Sequence, residues 1–157
     1  MKRTSVDWAA LLLRLAVGLI FLPHGWSKVL GAGGPAAFVH DLPGYGIPAF
    51  LGYIAAWAEL LAAPLLILGL LVRLDAFLLA CTMGVAVFVV QLPDALHDVP
   101  PGTPTLFAVL QGTELPLSLF AACLALTLLG AGRFSLDAVL RVDERMGDRL
   151  RRRRHTA

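Results

Sequence analysis

Four long apolar segments constrain the fold of this chain more than any other feature of its sequence. A helix needs about 20 mostly apolar residues to cross a bilayer core of roughly 30 Å. The segments that reach this length cover approximately residues 8–30, 49–72, 74–92 and 113–132. They are too long and too continuously apolar for the alternating strands of a membrane barrel. The sequence therefore predicts an all-α integral membrane protein, folded as a four-transmembrane-helix bundle.

The composition supports the membrane class and narrows it. Only 15% of the 157 residues are charged and 58% are hydrophobic, whereas a soluble domain carries about a quarter charged residues. This excludes a disordered chain and disfavours a water-soluble globule, and the length allows one domain. The two cysteines have no paired spacing, which excludes a disulfide scaffold and a CxxC or Cys/His zinc module. We therefore treat residues 1–157 as a single multi-pass membrane domain.

Basic residues occupy alternate connections between the predicted spans. Two precede the first span, Arg73 lies between the second and third, and eight arginines from Arg133 onward follow the fourth. The other connections, residues 31–48 and 93–112, contain no Lys or Arg. By the positive-inside rule, this pattern predicts that both termini are cytoplasmic, an N-in, C-in topology.

An alternative interpretation of the first span is a cleaved signal peptide, because it combines a basic start, an apolar run and small residues at 31–33. Two features argue against it. Arg14 interrupts the would-be apolar core, and removal of this segment would leave an odd number of spans that breaks the charge symmetry. We therefore retain four spans.

The segment 135–157 has a different character from the spans. Ser135 can cap a new helix, and Asp137 lies in its first turn, where the helix dipole favours an acid. The arginines that recur every four residues are Arg141, Arg145, Arg149 and Arg153. This pattern predicts a basic amphipathic helix on the cytoplasmic surface, with anionic lipid headgroups as its partners. The alternative is a solvated tail that only enforces topology. A nucleic-acid partner is not expected, because the chain offers no recognition element.

Ionisable and polar side chains inside the spans are the candidate functional residues, because a mid-helix charge costs about 2.5–3.5 kcal/mol on insertion scales. They are Arg14, His24 and Lys28 in the first span, Glu59 in the second, Gln91 at the end of the third and Glu114 at the start of the fourth. Each should face protein or water rather than lipid, and each should have a partner.

Helical geometry suggests how these side chains pair. Arg14 and Lys28 share one face of the first span, with His24 at its flank, and Glu59 lies near mid-span in a stripe of small residues. Small residues let membrane helices approach closely, so we expect Glu59 to meet Arg14 or His24. Lys28 and Glu114, both near the outer surface, are predicted to form an ion pair. Alternatively, these pairs only fix helix register, and Lys28 snorkels to the interface.

Several other chemistries are not expected. Membrane haem usually needs two axial ligands inside the bundle, and only His24 lies in a span, so neither haem nor a metal is expected. Cys81 and Cys123 lie at different depths and are predicted to be packed free thiols. The chain contains no Walker loop, GxGxxG fingerprint, GxSxG elbow or HExxH motif.

Several sequence elements together resemble the DoxX family from about residue 9 to 140. They are RLAVGLIFLPHGWSKVLG at 14–31, AELLAAPLLILGLLVRLDA at 58–76, the lone Glu114 and LLGAGRFSLD at 128–137. The most specific are the HGxxK element at His24, Gly25 and Lys28 and the GxGR[FY]SLD element at 130–137. No single piece is decisive without the others.

The resemblance implies a four-helix inner-membrane protein of bacteria or archaea. The family is named for a membrane subunit associated with a terminal quinol oxidase, and relatives serve as the quinone-linked part of thiosulfate oxidation or in membrane complexes that handle oxidative and thiol stress. Such proteins often carry a His at the outer end of the third span, where this chain has Gln91. The resemblance therefore implies altered proton transfer here, unless His97 substitutes.

The leading hypothesis is a redox-associated membrane subunit that holds a quinone or passes protons beside one, within a larger complex. A quinone site needs an apolar slot, a hydrogen-bond donor to a carbonyl and a nearby protonatable group. The predicted catalytic residues are His24 as donor or shuttle, Glu59 as proton acceptor and Arg14 as the cation that holds Glu59 ionised or polarises a carbonyl. The predicted quinone-binding residues are His24, Lys28, Gln91 and Glu114.

Two other functions stay open from the sequence. The first is a non-catalytic membrane scaffold that recruits soluble redox or stress enzymes through its basic tail. The second is a small-solute carrier, which with four spans and no convincing repeat would need to form a homo-oligomer. Whether the chain is part of an enzyme is thus undecided, and nothing in the sequence names a substrate or an electron donor.

Overall fold

The computed structural model describes residues 3–140, and the predicted basic helix beyond residue 140 lies outside this part of the chain. Within these residues the secondary structure is entirely helical, without a strand. Four helices are long and apolar enough to cross a membrane, namely Thr4–Leu30, Ala49–Leu68, Val72–His97 and Thr105–Leu129. The prediction of an all-α, four-span membrane protein is therefore confirmed.

The helices follow one another in a simple order. The first half contains α1 (Arg3–Leu30), α2 (Gly34–Val39), a 3₁₀ turn (Leu42–Tyr45) and α3 (Ala49–Leu68). The second half contains α4 (Val72–Val85), a π-helical segment (Ala86–Gln91), α5 (Leu92–His97), α6 (Thr105–Leu129) and α7 (Leu136–Leu140). The elements α4, π-segment and α5 continue one another and together form the third span.

The third and fourth spans extend further than the sequence pattern predicted. Two prolines accompany these extensions: Pro93 lies just after the π-helical segment passes into α5, and Pro104 immediately precedes α6. Pro104 is tolerated because the first turn of a helix needs no N–H donor. The predicted start of the fourth span at residue 113 is therefore wrong. Glu114 lies about 13 Å along α6 from its first residue, not at its beginning.

The bundle consists of two closely packed helix pairs, α1 with α3 and α4 with α6. In the first pair the glycines of α1 permit the close approach: a Cβ atom on Gly25 would lie 2.5 Å from the backbone nitrogen of Leu60, and one on Gly18 would lie 3.0 Å from the carbonyl oxygen of Ala63. The predicted packing of the first span against the small-residue stripe of the second is thus confirmed. Between the pairs lies the apolar core, which includes Phe21, Leu66, Leu79 and Leu126.

The two ends of the bundle differ in their connections. At one end the backbone N–H of Arg133 donates to Asp7 Oδ1 at 3.0 Å, so the start of α1 and the chain after α6 lie together. We call this the Arg133 end. At the other end, which we call the loop end, the Tyr45 hydroxyl donates to Asp94 Oδ2 at 2.9 Å. This hydrogen bond joins the connection between α1 and α3 to α5. This arrangement matches four spans with both ends of the described chain on one side. That this side is cytoplasmic stays a prediction.

Exposed tryptophans mark two levels along the bundle. Trp8 on α1 is exposed near the Arg133 end, and Trp26 on α1 and Trp57 on α3 are exposed toward the loop end. Trp8 and Trp26 are about 27 Å apart along the helix, close to the thickness of the hydrocarbon core. Tryptophan is enriched at membrane interfaces. Because Gly25 lies opposite Leu60, Trp26 and Trp57 lie at similar levels of the bundle. The apolar span of α3 continues from this level toward the loop end, where Phe50 and Ile54 are exposed.

The GRFSLD motif forms a clamp at the Arg133 end. The carboxylate of Asp137 accepts hydrogen bonds from the backbone N–H groups of Leu71 at 2.8 Å and Val72 at 3.0 Å. It thereby caps α4, whose own N-cap residue offers no side-chain acceptor. Ser135 caps α7 through the N–H of Ala138 at 3.1 Å, as the sequence predicted. The motif therefore fastens the segment after α6 to the turn between α3 and α4.

The packing at Gly25 yields a stability prediction. Replacement by Ala places a methyl group against the backbone of α3, which cannot yield as a side chain can, so Gly25→Ala should lower the free energy of unfolding by about 1–3 kcal/mol. Gly84→Ala is the matched control, because a Cβ there meets only the ring edge of Phe120 at 3.3 Å. Thermal unfolding in detergent measures both. Equal melting temperatures for the two variants would contradict the close approach of α1 and α3.

The clamp yields a second prediction. Asp137→Asn keeps the size of the side chain but removes its charge from the start of α4, so it should cost about 1–2 kcal/mol of stability. Asp41→Asn is the control, since Asp41 is exposed and its side chain bonds only the neighbouring His40. The readout is the same thermal unfolding, and a loss of stability in Asp41→Asn as large as that in Asp137→Asn would disprove the capping role.

Candidate functional site

A cavity of 510 Å³ lies between the two helix pairs toward the loop end. Most of its wall is apolar and comes from α1, α3, α4, the π-segment and α6. Its polar lining side chains are His24, Lys28, Glu59, Cys81, Thr82 and Gln91. Three of the four predicted quinone-binding residues are thus brought to one cavity, together with the predicted proton acceptor Glu59.

The strongest polar interaction of the cavity is an ion pair between Lys28 and Glu59. The Lys28 Nζ atom lies 2.7 Å from both carboxylate oxygens of Glu59, which is 1% exposed. The ammonium group also lies 4.5 Å from the centre of the Phe38 ring, a cation–π contact from α2. Lys28 is therefore held between a carboxylate and an aromatic face at the edge of the cavity.

The direction of the side chains explains why Lys28 and Glu59 meet although their Cα atoms differ in depth. A helical side chain leans toward the N-terminus of its helix. Because α1 and α3 are antiparallel, Lys28 leans away from the loop end and Glu59 leans toward it. The predicted Lys28–Glu114 ion pair is wrong, since Lys28 pairs with Glu59.

Glu114 does not line the cavity, although its neighbours Leu115 and Pro116 do. The buried face of α6 includes Thr113, Pro116 and Leu119, and Glu114 lies about 100° around the helix from Thr113. Its side chain is consequently exposed on the outside of the bundle. The structure thus separates Glu114 from the other predicted quinone-binding residues.

His24 is exposed on α1 and contributes to the wall of the cavity. Its Nδ1 atom lies 2.8 Å from the carbonyl oxygen of Ile20. A carbonyl oxygen can only accept a hydrogen bond, so Nδ1 carries the proton of the neutral ring. The Nε2 atom is then the one that can accept or release a proton.

Gln91 contributes an amide to the same cavity from the end of the π-helical segment. Its Oε1 atom is buried and has no hydrogen-bond partner among the described residues. An amide can donate or accept hydrogen bonds, but unlike an imidazole it does not titrate near neutral pH. His97 does not line the cavity: it is exposed and its Nδ1 atom lies 3.0 Å from Asp98 Oδ1.

Arg14 lies far from this cavity, at the Arg133 end of the bundle. It is fully buried, donates to the backbone carbonyl of Phe134 and is attracted by Asp137. The predicted contact of Arg14 with Glu59 is wrong. Gly25 lies opposite Glu59 and Leu60, and Arg14 precedes Gly25 by about 16 Å of helix, too far for the side chain to span.

Two contributors to the polar sites escaped the sequence analysis. Phe38 lies in the Gly/Pro-rich connection, where no periodic pattern indicates which side chains turn toward the bundle. Asp75 is 4% exposed, and its Oδ2 atom has no partner within residues 3–140. The sequence did contain a signal for Asp75, since it is an acid in the mostly apolar segment VRLDAFLL at 72–79. Because Asp75 lies close to the turn between the second and third spans, it was not recognised as a buried residue.

The loop connections cover the cavity on the loop side. Val39 and Leu42 approach Gly52 of α3 so closely that a Cβ on that glycine would overlap both side chains. The hydrogen bond from Tyr45 to Asp94 ties the same connection to α5, and acceptance of that bond by the carboxylate raises the pKa of Tyr45 above its usual value. Below that pKa the phenol keeps its proton and the tie persists.

Cys81 and Cys123 are both free thiols. Cys123 is buried in the core, as predicted. Cys81 instead is exposed on α4 and forms part of the cavity wall, so its prediction as a packed thiol is wrong. Its thiol is accessible from the outside of the bundle, whereas that of Cys123 is not.

Comparison with known proteins agrees with this architecture. The DoxX family profile matches residues 9–92. A protein of Bacillus subtilis (strain 168) named "Putative oxidoreductase CatD" is 36% identical over 88 residues, which cover 56% of this chain and 63% of that relative. The match therefore leaves over a third of the relative's length uncovered. No solved structure matches the chain. With a family match over more than half its length, the chain belongs to the DoxX family.

Proposed function

We propose that this membrane protein is a subunit linked to quinone redox chemistry and that the cavity at the loop end holds the quinone ring. The observation that carries the proposal is the cavity itself, an apolar space of 510 Å³ with a buried ion pair and an imidazole at its wall. Membership of the DoxX family and a relative named as an oxidoreductase support the redox assignment.

Lys28 is the residue best suited to bind a quinone carbonyl. An ammonium group has three N–H donors, and two of those of Lys28 are directed at the Glu59 oxygens. The third can donate to a carbonyl oxygen in the cavity. The positive charge would also stabilise negative charge that develops on that oxygen during reduction. Lys28 thus takes the role of cation that the sequence assigned to Arg14.

Proton exchange would involve His24 and Glu59. A bound quinone takes up two electrons and two protons when it becomes a quinol, and the electrons would come from a partner protein. His24 Nε2 is available for protons because Nδ1 is engaged by Ile20. Glu59 is the carboxylate in contact with the Lys28 ammonium, so it lies beside the position proposed for the quinone carbonyl.

The proposed setting is the inner membrane of a bacterium or archaeon, with the Arg133 end in the cytoplasm. Redox partner proteins and anionic lipids at the tail belong to the same proposal. The rival function is a scaffold that recruits enzymes through residues 141–157. That function requires the tail but does not require the cavity.

A binding experiment with paired variants tests the quinone assignment. The protein in lipid nanodiscs is titrated with decylubiquinone while tryptophan fluorescence is recorded, since Trp26 and Trp57 lie near the level of the cavity. Glu59→Gln releases Lys28 from its carboxylate and should weaken binding about tenfold, equivalent to about 1.4 kcal/mol.

Glu114→Gln is the control, because it makes the same chemical change on an exposed site outside the cavity. It should bind decylubiquinone within about twofold of the wild type, a change below about 0.5 kcal/mol. Size-exclusion profiles confirm that both variants are folded. No saturable quenching in the wild-type protein, or equal weakening by both substitutions, would refute the quinone assignment and favour the scaffold.

A further inference from the structure

The cavity is open toward the outside of the bundle between α3 and α4. Ile54 and Ala58 of α3 form one edge of this gap, and Leu78, Cys81 and Val85 of α4 form the other. Ile54 is 60% exposed and Val85 is 43% exposed, although both also line the cavity. Exposed residues that line the cavity thus lie on both helices of this gap, so the cavity has a mouth along it.

The packing of the bundle accounts for the gap. α3 makes most of its contacts with α1, and α4 makes most of its contacts with α6. The short turn at Gly69–Leu71 joins α3 to α4 at the Arg133 end, where Leu66 and Leu79 fill the space between the pairs. Toward the loop end the core stops and the cavity begins. The mouth therefore lies within the apolar spans and faces the bilayer.

Polarity changes along the cavity from its interior to this mouth. The inner wall carries the Lys28–Glu59 ion pair, whereas the edges of the mouth are apolar apart from the Cys81 thiol. A volume of 510 Å³ lies in the range of small-molecule sites and can hold a quinone ring, whereas an isoprenoid tail with tens of carbon atoms is too large to fit beside it. A ligand with a polar ring and an apolar tail would therefore leave its tail in the gap.

We propose that the ligand is a tailed, bilayer-dissolved quinone that enters through the gap between α3 and α4 and keeps the first part of its tail there, beside Cys81. This inference rests on the proposed function and adds the class of quinone, its route and the position of its tail. Lipid is as apolar as the gap, so the tail gains little affinity from leaving it. The tail should instead be detectable because it shields the Cys81 thiol from chemical labelling.

The native thiols provide the test. The wild-type protein in nanodiscs is treated with a lipid-soluble maleimide, and the labelling of Cys81 is followed by mass spectrometry, with buried Cys123 as the unreactive internal reference. Decylubiquinone is compared with the same ring carrying a methyl group in place of the decyl tail. Fluorescence quenching confirms that each compound occupies the cavity. We expect the tailed compound to slow labelling about tenfold and the tailless compound to slow it less than twofold.

A matched variant controls for general effects of quinone in the membrane. Leu19 is 60% exposed on α1 and lies outside the cavity wall, so labelling of Leu19→Cys in a Cys81→Ser background should be the same with either compound. In addition, Ala58→Trp should fill the gap and lower the association rate of decylubiquinone about tenfold, whereas Leu19→Trp, outside the cavity wall, should leave that rate unchanged.

The outcomes separate this inference from the proposed function. If both compounds bind and shield Cys81 equally, or if the tailed compound binds without shielding it, the tail does not lie in the gap and the inference is overturned while quinone binding stands. If neither compound quenches the fluorescence, the quinone function fails and the inference fails with it. Selective shielding by the tailed compound supports both.

Discussion

The ion pair between Lys28 and Glu59 is the interaction on which the arrangement of the loop end depends. An isolated charge buried here would carry a large desolvation cost. The attraction between the Lys28 ammonium and the Glu59 carboxylate, which lie 2.7 Å apart, offsets that cost. Their contact requires α1 and α3 to stay close, which Gly18 and Gly25 permit. Because both charges are satisfied within one helix pair, the facing wall from α4, the π-segment and α6 needs no charged side chain and contributes none to the cavity. The result is a cavity with one charged side.

Two polar sites within residues 3–140 are kept apart by an apolar core. At the Arg133 end, Arg14 and Asp137 join α1, the segment after α6 and the α3–α4 turn. At the loop end, Lys28 and Glu59 border the cavity. Between them lies a packed apolar layer that includes Val17 and Leu66. The two most specific sequence motifs thus serve different purposes: HGxxK contributes to the cavity and GxGRFSLD to the clamp.

The sequence was sufficient for the spans and for the helix face that packs, because both depend on local apolar content and on the spacing of small residues. It was insufficient for the partners of the charges. The predicted depth of each charge in the membrane assumed that the spans end at the same level. In the structure Gly25 lies opposite Leu60, so the first residue of α3 extends further toward the loop end than the last residue of α1 does. This stagger, together with the lean of the side chains, brings Lys28 to Glu59 and leaves Arg14 a long way from it. The face on which Glu114 lies was likewise unpredictable, since it depends on which side of α6 packs against α4.

The amide at position 91 bears on how protons could reach the cavity. An imidazole there would have provided a titratable group on the α4 side, but Gln91 offers only hydrogen bonds. Among the described residues, the imidazole and the carboxylate of the cavity wall therefore both come from the α1–α3 pair, where His24 is exposed and Glu59 is buried against Lys28. In the quinone function proposed above, protons from water would therefore be taken up at His24, since Glu59 is only 1% exposed. The helix pair that carries the charges would thus also carry the proposed proton chemistry, opposite the mostly apolar wall from α4, the π-segment and α6.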